Sequence, residues 1–100
     1  MSSREAQLKL SPAAQKDIAN VLQYTGERWG HSQLLAYRDK IDEALMRLAG
    51  NAGLGHQSAE LPATHRLYFV GSHVIVYRTR DEVTEVVRIL HQRMSVLRHV

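Results

Sequence analysis

Cysteine is missing from this sequence altogether. Disulfides, thiolate zinc sites and thiol nucleophiles are therefore excluded. Proline occurs only twice, and no apolar run approaches the roughly 20 residues that a membrane-spanning helix requires. The opening Met1-Ser2-Ser3-Arg4-Glu5 is polar and lacks the apolar stretch of a signal peptide. A cytoplasmic protein without membrane contact is expected. The glycines do not form a phosphate cradle between a strand and a helix, and there is no Gly-x-Ser-x-Gly elbow. The histidines are not spaced as i, i+4 helical ligands, so neither a metal nor another cofactor is expected. Aromatic residues are 6% of the chain, too few to point to a base-stacking platform. Lysine, finally, is absent after residue 60.

A chain of 100 residues has room for one domain around one core, and 44% hydrophobic with 23% charged residues is the mix of a folded domain. The net charge of +3 is unevenly placed. Residues 1–60 balance seven Lys/Arg against seven Asp/Glu. Residues 61–100 carry six arginines against Asp81, Glu82 and Glu85, with His65, His73, His91 and His99 beside them. Such a half is either an ordinary solvated surface or a face for an anionic partner, nucleic acid or acidic peptide. Arginine's planar fork suits phosphate and carboxylate.

Polar and apolar residues alternate over 7–10, which predicts a short strand. Ser11-Pro12 is a helix start, with serine as N-cap and proline in the first turn. A helix over 12–28 places Ala14, Ile18, Val21, Leu22 and Thr25 on one face and Asp17, Asn20, Gln23 and Glu27 largely on the other. Gly30 ends it. Ser32 is the expected cap of a second helix over 33–49, striped with Leu34, Tyr37, Ile41, Leu45 or Ala44, and Leu48. The short link of Gly30 to Ser32 implies an antiparallel helical hairpin. Residues 50–62 hold three glycines and a proline without periodicity, and read as a loop. From His65 the period becomes two. Strands are expected over 65–70, 73–79 and 83–91, turning at Gly71-Ser72 and at 79–82, as an antiparallel meander. The fold class is α+β: a strand, a two-helix hairpin, then three strands in one mostly antiparallel sheet with helices on one face.

The segment Arg88-Ile89-Leu90-His91-Gln92-Arg93-Met94-Ser95 concentrates chemistry. As a strand it would turn His91 and Arg93 to the same side. A metal-free ribonuclease needs a base, an acid and cations around the phosphorane, and His91, His99, Arg93, Arg66 and Arg78 are the right types. The structural alternative is a histidine hydrogen-bonded at a strand end, with arginines lying along the sheet edge. Trp29, Tyr37, Tyr24, Tyr68 and Tyr77 read as packing residues.

These residues resemble a known family. Tyr24-Thr25-x-x-Arg28-Trp29-Gly30-x-x-Gln33 with Tyr37 looks like the first half of the ParE toxins of type II toxin-antitoxin systems. Gly71-Ser72-His73-x-Ile75-x-Tyr77-Arg78 resembles their central hairpin, and Ile89-Leu90-His91-Gln92-Arg93-Met94 is similar to their ending. The resemblance runs from about Leu8 to Val100. It implies the RelE/ParE superfamily fold and a single toxin domain over 1–100. It further implies a protein that inhibits DNA gyrase by binding and is neutralised by a cognate ParD-like antitoxin. The expected assembly is a hetero-oligomer that meets operator DNA only through the antitoxin. On this reading there is no catalytic residue. His91, Arg93 and Arg98 would meet the target, and Leu34, Tyr37, Ile41 and Arg78 the antitoxin. An open apolar sheet face is expected to await that partner. The alternative, a RelE-like ribosome-dependent mRNA endonuclease, would use Arg66, Arg93 and His99. The lysines of RelE-type enzymes are absent from residues 61–100. Ser95 stands where the family usually carries aspartate.

Overall fold

A computed structural model describes residues 7–94 and 96–99 of the chain. Strand β1 (Gln7–Leu10) leads into α1 (Pro12–Trp29) and α2 (His31–Gly50). A single 3₁₀ turn, Ala52–Leu54, then precedes β2 (His65–Val70), β3 (His73–Arg80), β4 (Val83–His91) and the short α3 (Val96–His99). The expected order of strand, helical hairpin and meander is the observed one.

Local chemistry sets the boundaries. The Ser11 hydroxyl accepts the N–H of Ala14 at 3.0 Å and donates to the Val87 carbonyl at 2.7 Å, so the cap also pins α1 to β4. One residue joins the helices, not three. Gly30 at φ 94 reverses the chain, and α2 begins at His31 with no side-chain cap from Ser32. Glycine takes that conformation without a Cβ penalty. The helices approach closely at Gly26, where a Cβ would lie 2.8 Å from Leu34 Cδ1.

The strand order is β1-β4-β3-β2. The meander pairs are antiparallel, and β1 lies parallel to β4 against residues 83–86 only. The β3–β4 turn is Asp81-Glu82, with φ of 53 and 65. Between Val76 and Tyr77 the register slips, so that Tyr77 faces Val86 while Val76 faces Arg88. This bulge keeps both Val86 and Ile89 on the helix side.

The main core packs Ala14, Ile41, Ala44, Leu45 and Leu48 of the helices on Val70, Ile75, Tyr77, Val86 and Ile89 of the sheet. The second face departs from expectation. Val74, Val76 and Leu90 are buried there beneath Leu61 of the long loop, with Leu67 and Val96 against them. The loop and α3 therefore cover the apolar part of the face that the sequence left open. The loop is itself anchored. His56 exchanges two backbone hydrogen bonds with Leu67, and the buried Tyr77 hydroxyl accepts the N–H of Gly55 at 2.8 Å and donates to the Ala52 carbonyl at 2.6 Å.

Candidate binding cleft

The bulge in β4 has a consequence for two side chains. Counted back from the Arg80–Val83 pair without it, His73 would lie opposite Leu90. The extra residue brings it opposite His91, and the two rings meet edge to face with centroids 5.3 Å apart. The Tyr37 ring reaches His73 from α2, at 5.5 Å between centroids. The Tyr37 hydroxyl lies 2.7 Å from His73 Nδ1, accepts the N–H of Ser72 at 3.1 Å and donates to the Val70 carbonyl at 3.3 Å. Gly71, at φ 55, sits against the same hydroxyl: a Cβ there would lie 2.6 Å from it. Burial pushes the Tyr37 phenol up. It pushes the His73 imidazole down from 6.5, with a smaller push from His91. His73 is therefore neutral at neutral pH.

Above this pair opens a cleft of 580 Å³, lined by Tyr24, Thr25, Trp29, Gln33, Tyr37 and Ser72 as well as the two histidines. Tyr24 is 60% exposed and Trp29 64%. The expectation that both are packing residues is thus corrected. They lie near the end of α1, beyond the stripe that meets the sheet, and the one-residue link leaves nothing to cover them. The Arg28 guanidinium lies 5.5 Å from the Trp29 ring and the Lys40 ammonium 5.9 Å from the Tyr37 ring. A second, smaller pocket shares Tyr24, His73 and His91 with the cleft and is lined further by Asn20, Val21, Asp17, Arg88 and Met94.

Asp17 lines that second pocket. Its carboxylate accepts from Arg88 Nε at 2.8 Å and Nη2 at 3.0 Å, and from the backbone N–H of Ile89 at 2.9 Å. β1 ends at Leu10 and pairs with β4 only as far as Val86, so this N–H faces an edge without a neighbouring strand. The carboxylate takes the strand's place. Arg88 Nη1 also donates to the His99 carbonyl at 3.1 Å, which ties α3 to the same clamp. The helical pattern predicts Asp17 on the solvated face of α1. Its side chain is only 13% exposed because Arg88 draws it onto the strand edge.

The comparisons with known proteins agree on one family. The family model described as ParE toxin of type II toxin-antitoxin system, parDE, matches residues 8–96. A Mycobacterium tuberculosis protein named Toxin ParE1 is 40% identical over 101 residues, covering 100% of both chains. A Caulobacter vibrioides protein of that name is 33% identical over 92% of this chain and 95% of its own. The chain belongs to the ParE toxin family. A solved chain titled as the chromosomal ParDE TA system from P. aeruginosa superposes with a TM-score of 0.76, over 89% of this chain and 98% of that one. At 18% identity this match speaks for the fold.

Within this ParE fold the expected site residues separate. Arg66 sits on the far edge strand β2 opposite Tyr77, and its Nη1 donates to the Gly55 carbonyl at 2.9 Å. His99 lies in α3, whose Val96 packs on the other face of the sheet. The trio of Arg66, Arg93 and His99 is therefore not brought together. Nor do His91 and Arg93 share a strand face. β4 ends at His91, and the Arg93 N–H folds back onto His91 Nδ1 at 3.1 Å. Arg93 and Arg98 are both exposed. Of the four expected antitoxin contacts, Leu34 and Tyr37 are half-buried: Tyr37 lines the cleft, and Leu34 lies against Gly26 of α1. Ile41 is 1% exposed and belongs to the core, since the α2 stripe turns inward there. Arg78 points away from the helices and pairs with Glu85 at 2.8 Å. Ser95 lies outside the described residues. Among the described residues no group of three or more His, Asp or Glu could hold a metal ion, and no helix is long and apolar enough to cross a membrane.

Proposed function

We propose that this toxin inhibits DNA gyrase by binding it, and that a ParD-like antitoxin neutralises it by covering part of the same molecule. Membership of the ParE family is the observation that carries this reading. The structure supports a binding role in two ways. The residues that a metal-free nuclease would need to converge, Arg66, Arg93 and His99, are dispersed over different strands and faces. The cations of the C-terminal segment are instead presented outward: Arg93 lies in an exposed turn and Arg98 on exposed α3, both beyond the Arg88–Asp17 clamp. Surface cations without a shared anchor steer and hold an anionic partner better than they polarise a scissile bond. For the antitoxin, Tyr37 offers an aromatic edge in the same cleft as the exposed rings of Tyr24 and Trp29. A flexible segment that folds on binding would gain its structure there, and the complex would be a hetero-oligomer.

The test is expression of the toxin in growing cells without its antitoxin. Growth arrest with broken chromosomal DNA and intact transcripts is expected, relieved by co-expression of the antitoxin. Cleaved transcripts with intact DNA would contradict the reading and point to a ribosome-dependent nuclease.

A further inference from the structure

The cleft that His73 and His91 share is rich in hydrogen-bond donors, and no Asp, Glu, Lys or Arg lines it. Both Nδ1 atoms are engaged within the chain, which leaves each Nε2 for a ligand. His91 Nδ1 accepts the N–H of Arg93, so the neutral ring carries its hydrogen on Nε2. His73 Nδ1 lies 2.7 Å from the Tyr37 hydroxyl, whose single hydrogen also has the Val70 carbonyl in reach at 3.3 Å. With that hydrogen on the shorter contact, Nδ1 accepts and Nε2 is the donor. A protonated His73 donates from Nδ1 to the hydroxyl oxygen, the hydroxyl hydrogen turns to Val70, and Nε2 is again a donor. Only a neutral ring with its hydrogen on Nδ1 would make Nε2 an acceptor, and that ring leaves the hydroxyl hydrogen on the longer contact. The two rings are a registered pair across β3 and β4 with centroids 5.3 Å apart. The Gln33 amide and the Ser72 hydroxyl, whose side chains have no partner among the described residues, add further donors. The exposed rings of Tyr24 and Trp29 supply flat apolar walls. A volume of 580 Å³ falls within the ~300–1,000 Å³ common for small-ligand sites.

We propose that this cleft binds a small carboxylate carried on a flat apolar body, an aryl carboxylate. Its oxygens accept from His73 Nε2 and His91 Nε2, and its body lies against Tyr24 or Trp29. One negative charge suits the site better than two. With no Arg or Lys in the lining, the positive charge that can arise there is a proton taken up by His73, for which Tyr37 and Val70 keep the hydrogen bonds in place. His91 could take one only by giving up the Arg93 N–H. The other ionisable groups around His73 are Tyr37 of α2, Tyr24 of α1 and His91 of β4, while Asp17 and Arg88 of the second pocket are bound to each other. Burial and His91 keep the unliganded His73 ring neutral above 6.5. A carboxylate beside it favours the protonated form, so binding tightens as pH falls. The inference is independent of gyrase as the target.

The full-length protein is titrated by calorimetry with naphthoate, with the uncharged naphthamide, with acetate and with inorganic phosphate. Saturable binding of naphthoate is expected, with each of the other three about tenfold or more weaker. Lowering the pH from about 8 to about 6.5 should tighten naphthoate binding about tenfold, with net proton uptake. His73→Gln keeps a donor at that position but takes up no proton, and should remove the pH dependence. Tyr24→Ala alters an exposed wall without touching the core, and should weaken naphthoate about tenfold even if His73→Gln folds poorly. The proposal is overturned by no saturable binding of naphthoate, or by equal affinity for naphthamide, acetate or phosphate. It is equally overturned by an affinity that does not change with pH, or by unchanged behaviour in the folded variants. A short peptide ending in phenylalanine presents a carboxylate and a ring on a chain end. Its binding more tightly than naphthoate would overturn the small ligand in favour of a protein partner.

Discussion

The Asp17 carboxylate meets the Arg88 guanidinium with two oxygens and the Ile89 N–H with one of them, at a strand edge that β1 does not reach. Paired and partly buried charges of this kind are costly to break from one side. Asp17→Asn should therefore lower stability by about 2 kcal/mol, read as a lower urea midpoint at unchanged slope. A midpoint within error of the parent would show that the edge needs no carboxylate. His73 supplies a pH dependence with a defined sign. Burial, and then His91, holds its folded pKa below the ordinary 6.5. The neutral form is thus favoured in the folded chain, and its contribution is present above that value and lost as pH falls through the depressed one. His65 is shifted the same way by burial and Arg78. The urea midpoint should fall on acidification from above to below pH 6.5, and His73→Gln should make that fall shallower. A fall as steep in the variant would remove His73 from the account. Neither residue was legible in these roles. Helical periodicity puts Asp17 outside, because the pattern contains no record of a strand edge left short by β1. It also cannot show that a tyrosine two turns into α2 will bond His73.

At the scale of elements, the strand and helix periods of the sequence carried most of the architecture. The Ser11-Pro12 start, the Gly71-Ser72 turn and the three strands of the meander fall where alternation and turn chemistry put them. Two features did not show. Ser32 has the chemistry of a cap, yet Gly30 turns the chain two residues earlier, because a positive φ is a backbone property that competes with any downstream cap. The bulge left no mark either, although Val86 and Ile89, three apart on one strand, both need the core side. That spacing was the available signal, and it decides whether the two histidines meet. The Asp81-Glu82 turn holds two side chains at positive φ, where Asn-Gly is the favoured pair. Replacing Asp81-Glu82 by Asn-Gly should stabilise the fold by about 1 kcal/mol, with a higher melting temperature. An unchanged or lower melting temperature would mean that the native side chains offset the strain of their backbone.

The whole molecule has two differently furnished sides. On one, the helices cover the main core and leave a cleft at the end of the hairpin. On the other, the long loop and α3 cover a smaller apolar cluster, and the row of Lys9, Glu85, Arg78 and His65 crosses the strands beside it. The sequence placed the excess of arginine in the second half correctly, but composition cannot say that Arg66, Arg78 and Arg88 are tied to Gly55, Glu85 and Asp17. The exposed arginines of that half are Arg80, Arg93 and Arg98, the last two in the C-terminal segment. β1 lies beside β4, its most distant strand in sequence, and so long-range a pairing has no local signature for periodicity to show.

The proposed action of this ParE-family toxin is to bind gyrase. The most direct measurement is a DNA supercoiling reaction with purified gyrase, into which the toxin is titrated before the enzyme is denatured. Loss of supercoiling with accumulation of linear DNA is predicted, reversed by antitoxin and weakened by Arg93→Ala together with Arg98→Ala. Full supercoiling at high toxin concentration, with no linear product, would contradict it.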